Sequence, residues 1–328
     1  MMITEKKNQT SGRDFILSGL LDSNHYGLLF LTLILIIFMM TIMGNTVLIL
    51  LIHLDIRLHT PMYVLLKHLS FTDVLNTSNI VPKMASNYIS GRKSITFAGC
   101  GFQVFLHSTF LGTECLILTA MSYDRYVAIC HPLRYPILMS HGISVILAAG
   151  CWLGGTINAT IHTAYVLLLP FCGTRIIDHF FCEVPALVKL SCVNTSQYEG
   201  GVTVSAVFFL LIPPIIILAS YGQILRAVLL MKSREAQKKA FSTCSSHLVV
   251  VVMYYGSALF IYMRPKSSHT PGQDKVLAVS YTIIAPMLNP IIYSLRNKDV
   301  ISALKKVLGQ AISHRKKYFL KIRLSAHG

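Results

Sequence analysis

"MSYDRYVAICHPLRY", residues 121–135, places Asp124 and Arg125 side by side behind a mostly apolar run, "GFQVFLHSTFLGTECLILTA" (101–120). If that run lies in a membrane, the pair stands where charge is expensive. A second acid, Glu114, and a histidine, His107, precede it on the same segment. The fold turns on whether 97–130 is a membrane helix and on which face these groups share.

Composition answers the first question. The chain has 328 residues, 53% hydrophobic and only 13% charged. A soluble domain carries about twice that charged fraction. Residues 26–52 contain no Lys, Arg, Asp or Glu. That stretch exceeds the roughly 20 residues needed to cross hydrocarbon. Seven apolar segments are read, over 26–52, 60–88, 97–130, 142–167, 200–231, 238–263 and 273–295. The expected fold is an all-α membrane protein, a seven-transmembrane helix bundle. A net charge of +16 would suit a nucleic-acid binder. The basic residues, however, lie between and after the apolar runs, so nucleic acid is not expected as a partner. No internal repeat supports a transporter reading. No nucleophile–base set, metal cluster or phosphate loop supports an enzyme.

Seven spans put the termini on opposite sides. "KSREAQKK" (232–239) and the basic tail place the C-terminus in the cytoplasm by the positive-inside rule. The N-terminus is then extracellular, where Asn8-Gln9-Thr10 is a glycosylation acceptor. The expected organisation is an N-terminal segment 1–25, a membrane domain 26–295, and a cytoplasmic amphipathic helix with a basic tail over 296–328. Of eight cysteines, Cys100, Cys172, Cys182 and Cys192 fall on the outer side. Four cysteines in an oxidising compartment allow three disulfide pairings.

Helix geometry answers the second question. From His107 to Glu114 is about 20° short of two turns, and from His107 to Arg125 is about five whole turns. Cys100, His107, Glu114 and Arg125 form one stripe. A charged stripe turns away from lipid, so the third helix is central. Asp73, in "HLSFTDVLNTS" (68–78), is the best partner for Glu114, with Asn45 and Asn289 nearby. Two buried carboxylates require a shared proton or a cation such as Na⁺. His107 either lines a ligand pocket or packs as a neutral ring.

The chain resembles the rhodopsin-like G-protein-coupled receptors and, within them, the odorant (olfactory) receptors. The resemblance rests on Gly44-Asn45, "LHTPMYVLLKHLSFTD" (58–73), "MSYDRYVAICHPLRYP" (121–136), "KAFSTCSSHL" (239–248) and "PMLNPIIYSLRN" (286–297). It implies disulfides Cys100–Cys182 and Cys172–Cys192, and a sodium site at Asp73 and Glu114. It implies an activation set of Asp124, Arg125, Tyr126, Tyr221, Asn289, Pro290 and Tyr293. Asp124 would restrain Arg125 at rest, and a G-protein helix would enter when the sixth helix swings out. The foot of that helix, "AQKKAFSTCSSH", is basic and hydroxylic, so an ionic lock to Arg125 has no acid at the usual place. An opsin lysine is missing, since Ile283 stands midway along the seventh helix.

The resemblance also implies an odorant pocket in the outer half. The third helix supplies His107, Ser108, Leu111 and Gly112. The fifth supplies Ser205 and Phe209; the sixth, Tyr255, Ala258, Leu259 and Tyr262; the seventh, Thr282. This lining suits a small, largely apolar volatile molecule. The implied partners are that odorant, a stimulatory, olfactory-type heterotrimeric G protein acting through cAMP, and membrane lipid. No cofactor beyond Na⁺ is expected, and the expected location is the plasma membrane. In the tail, Val300, Leu304, Val307 and Leu308 share one helical face suited to the inner leaflet.

Overall fold

A computed structural model of the chain describes residues 14–20, 25–194, 196–262, 271–295, 299–307 and 309. Among them, seven long helical spans form a bundle. The first four are α1 (His25–Leu54), α2 (Pro61–Ser90), α3 (Phe97–Cys130) and α5 (His141–Leu168). A short α4 (Tyr135–Leu138) bridges α3 and α5, and a short α6 (Val184–Val188) lies in the long loop after α5. The fifth span joins α7 (Ser196–Ala206) to α8 (Ile212–Leu229) through a π-helical segment, Val207–Leu211. The sixth is α9 (Arg234–Tyr262). The seventh joins α10 (Pro271–Val279) to α11 (Ala285–Leu295) through a second π segment, Ser280–Ile284. A last helix, α12, covers 299–307.

Six of these spans are long and apolar enough to cross a membrane. The remaining one, α2, is as long but less apolar, because its buried face carries Asp73, Asn76, Thr72 and Thr77. The bundle is apolar on its outer surface, and within it polar groups are set in an apolar core. On α1, Leu29, Ile36, Met43 and Leu50 are all exposed, as a lipid-facing surface requires. The apolar stretch of α3 is 61% buried, against 22% for α1. α3 packs against α2, α5, α8 and α9, which makes it the central helix.

A proline frees a backbone carbonyl in each of the two irregular spans. Pro213 has no N–H to give the Phe209 carbonyl one turn earlier. That carbonyl instead accepts from the Cys115 thiol of α3 at 2.6 Å. Pro290 likewise frees the carbonyl of Pro286, which accepts from Asn45 Nδ2 of α1 at 3.0 Å. Each released backbone acceptor becomes a tie between spans, as membrane helices require.

Three elements differ from the sequence expectation. The sixth span begins at Arg234 and so absorbs most of the basic loop. Ser233 caps it, with Oγ accepting from Ala236 N at 3.3 Å, and Glu235, Ala236 and Gln237 are good helix formers. The N-terminal segment is not merely polar. Phe15–Leu17 forms β1, antiparallel to β2 (Ser94–Ile95) and parallel to β3 (Ile176–Ile177). Phe15 and Leu17 are buried and Ile16 is exposed, the alternation of a half-covered strand. In α12 the inward face is Val300, Ala303 and Val307, and Leu304 is turned out.

Candidate functional site

The predicted stripe on α3 runs down the bundle interior. Cys100, His107, Glu114 and Met121 are buried and Arg125 is half-buried. Two features start this helix in register: the Thr96 side chain caps it by accepting from Gly99 N at 3.0 Å, and Cys100 is bonded to Cys182.

At mid-membrane, Asp73 Oδ2 accepts from Asn289 Nδ2 at 3.0 Å, joining α2 to α11 beside Pro290. Asp73 Oδ1, Glu114 Oε1 and Asn45 Oδ1 are buried without hydrogen-bond partners. Glu114 lies close enough to feel the charge of Asp73. Orphaned carboxylate and amide oxygens are the donor set that a hard cation takes.

At the inner end, Asp124 feels the charge of Arg125 but makes no ion pair with it. Its Oδ1 accepts from the Tyr135 hydroxyl of α4 at 2.8 Å, because neighbouring side chains on a helix diverge by about 100°. Arg125 Nε is buried without a partner. Its charge acts on Tyr221, Cys244, His247 and Tyr293. The Tyr293 hydroxyl is buried and unpartnered. Tyr126 points the other way, its hydroxyl 3.1 Å from His131 Nε2.

His247 is the residue that motif reading passed over. Its Nε2 lies 3.1 Å from the Leu118 carbonyl of α3, and its Nδ1 lies 2.8 Å from the Tyr221 hydroxyl of α8. A carbonyl only accepts, so Nε2 carries the proton and Nδ1 accepts from Tyr221. The signal was present as a lone imidazole entering the apolar run "SSHLVVVVMYY" (245–255).

The olfactory receptor family matches residues 34–311. The chain belongs to that family. It is 61% identical to human Olfactory receptor 2AJ1 over 310 residues, covering 94% of each chain. It is 54% identical to human Olfactory receptor 2L3 over 303 residues, covering 92% of this chain and 97% of that one. Human Olfactory receptor 2T1 is 52% identical over 301 residues, 92% of this chain and 82% of that one. Membership makes this a G-protein-coupled odorant receptor of the plasma membrane with several spans, and not an enzyme.

In this olfactory receptor, the residues expected to face the ligand are distributed as follows. Leu111, Phe209 and Leu259 pack against the buried core cluster that contains Tyr255. The Tyr255 hydroxyl donates to the Cys115 carbonyl at 3.1 Å, and Tyr254 donates to Leu111 O at 2.6 Å. Two hydroxyls of α9 thus grip successive turns of α3. His107 Nδ1 lies 3.0 Å from Asn76 Oδ1, and its ring packs edge-on against Phe181 at 4.9 Å. Gly112 sits where α3 meets α5; a Cβ there would come within 3.1 Å of Gly155 Cα. Ser205 turns to α5, between His162 Nε2 (2.7 Å) and Asn158 Oδ1 (2.9 Å). Thr282 is fully buried and donates to Ala278 O. Ser108 is half-buried and Ala258 buried. The side chain of Tyr262 and all of Asn8 lie outside the described residues.

The receptor's outer cover is pinned in place. The second disulfide, Cys172–Cys192, closes the loop after α5 with 5.4 Å between Cα atoms. Lys275 Nζ donates to Asp178 Oδ1 at 2.7 Å and to Ser18 Oγ at 3.1 Å. This hydrogen bond from Lys275, with that from Ser18, holds the Asp178 carboxyl below the usual carboxylate range. His179 beside it is buried, and that burial pushes its imidazole below the usual histidine range.

Proposed function

We propose that this olfactory receptor binds a small, largely apolar volatile odorant in its outer half and couples to a stimulatory, olfactory-type G protein, raising cAMP. The supporting observation is the vertical order on α3. His107 and Leu111 stand under the disulfide-bonded cover, Glu114 faces Asp73 below them, and Arg125 lies at the inner end beside Tyr221 and His247. An odorant among His107, Ser108, Leu111, Phe209, Tyr255, Ala258 and Leu259 would act on α9 through the two tyrosines that grip α3. Asp73 and Glu114 hold Na⁺ in this reading, and Asn289 orients Asp73. The N-terminus, glycosylated at Asn8, faces outward and the basic tail inward.

The lining contains neutral hydrogen-bonding groups and apolar surface but no Lys or Arg, which favours an alcohol, ketone or ester over an acid. A cAMP reporter in cells expressing the chain with an olfactory-type G protein, screened against an odorant panel, tests this. The expected result is a saturable response that Arg125→Ala abolishes while surface expression persists. A ligand-gated ionic current without G protein would overturn the reading.

A further inference from the structure

A cavity lies beneath β1, between α1 and α2, away from the polar column on α3. Leu20, Leu31, Ile34, Met84 and Phe180 form its apolar walls. Its volume is about 30 Å³, room for roughly two or three waters or one small polar head. Two donors face this space. Asn87 is only 7% exposed, and its Nδ2 has no hydrogen-bond partner. Lys93 also lines it and gives one bond to the Ser18 carbonyl at 3.1 Å. An ammonium has three protons, so donors remain. Among the described residues, no acidic side chain lines it.

We propose that this cavity is a second ligand site, separate from the odorant pocket, which takes the carboxylate head of a small amphiphilic acid. The chemistry is specific. A buried amide N–H and an ammonium both require an acceptor, and a negative one makes the stronger, charge-assisted bonds. The apolar walls exclude a fully hydrated ion, and a short alkyl tail would leave through the cavity's open side. A ligand here touches β1 on one side and both helices on the other. It would therefore fasten the N-terminal strand over the bundle.

The test uses the full chain in phosphatidylcholine nanodiscs, with butyrate binding followed by saturation-transfer NMR and butanol as the uncharged control. Butyrate should bind saturably and more tightly than butanol. Asn87→Leu and Lys93→Gln should each weaken it about tenfold or more, as for one lost charge-assisted bond. Asn87→Asp keeps the shape, replaces the donor with an anion and should abolish binding; it decides the matter if Asn87→Leu does not fold. Adding phosphatidylserine separates two sources of the carboxylate. Displacement of butyrate means that a lipid head also reaches the site, and no displacement assigns it to soluble acids. Equal binding of butyrate and butanol, which water-filled space would give, overturns the proposal. So does butyrate binding that neither Lys93→Gln nor Asn87→Asp changes, or no saturable signal at all.

Discussion

The Tyr221 hydroxyl donates to His247 Nδ1 at 2.8 Å, and the two rings stack at 5.7 Å with only 20° between their planes. Because His247 Nε2 also reaches Leu118 O, one imidazole ties the inner halves of α8 and α9 to α3. Arg125 stands beside the group. Any outward movement of α9 must break the bond to Leu118 or carry the ring away from it.

The pair should therefore behave as one unit. Tyr221→Phe leaves Nδ1 of a fully buried imidazole without a donor, at a cost of about 1–3 kcal/mol. His247→Phe leaves both the Tyr221 hydroxyl and the Leu118 carbonyl unpaired. The double variant should cost less than the sum of the two, with a coupling of roughly 1 kcal/mol. Thermal unfolding of the purified receptor measures this. Strict additivity would mean that the bond contributes nothing.

Sodium should stabilise the receptor through Asp73 and Glu114. At tenfold excess over its dissociation constant, a bound ion adds about 1.4 kcal/mol. For a large domain that raises the melting temperature by roughly 3–6 °C. Replacing Na⁺ with choline should remove the gain in the parent chain. Glu114→Gln and Asp73→Asn should show no difference between the two salts. An unchanged sodium effect in both variants would remove the ion from this site.

Acid should loosen the outer cover through His179 rather than through Asp178. Burial depresses the His179 pKa, and the charge of Lys275 adds to the effect while those of Glu183, Asp274 and Asp178 oppose it without reversing it. The unfolded loop then binds the proton more readily than the folded one, so stability rises with pH. The contribution is complete above about pH 6.5 and declines as pH falls below that. Asp178 is also depressed, but its contribution persists until pH drops below about 4. Hydrogen exchange of residues 176–183 should therefore accelerate between about pH 6.5 and 5. His179→Phe should flatten that dependence. Lys275→Ala should raise exchange at every pH.

Much of this was legible in the sequence, and the exceptions have physical reasons. The number and rough extent of the spans followed from apolar length, and the α3 stripe followed from helical period, because both are local properties. The Asp124–Tyr135 bond was not legible, since it depends on how α4 folds back after "HPLRYP". The Phe209 and Pro286 carbonyls could be identified as freed from the position of each proline. Their acceptance of Cys115 and Asn45 depends on packing between distant spans. β1 gave a faint signal, the apolar run Phe15-Ile16-Leu17, but three residues are too few to outweigh polar neighbours. Gly112 was assigned to the ligand wall by family position alone, and the fold shows that it also sits at a helix contact.

That contact yields the last prediction. A Cβ on Gly155 would lie 2.7 Å from Thr109 O and 2.8 Å from Thr113 N, and it would also meet the Thr113 hydroxyl. Two of these are backbone atoms of the central helix, which cannot turn aside as a flexible side chain could. Gly112 faces the same seam from α3. Small residues at such a seam let membrane helices approach closely and gain dispersion contact. Gly155→Ala should push α5 away from α3 and cost about 1–3 kcal/mol. Gly150, on the same helix, has nothing within 4 Å of its Cβ position. There the better helix propensity of alanine should leave stability unchanged or raise it by up to about 1 kcal/mol. Melting temperature and surface expression should both fall for Gly155→Ala and hold for Gly150→Ala. If Gly155→Ala melts with the parent, α3 and α5 do not approach as closely as described.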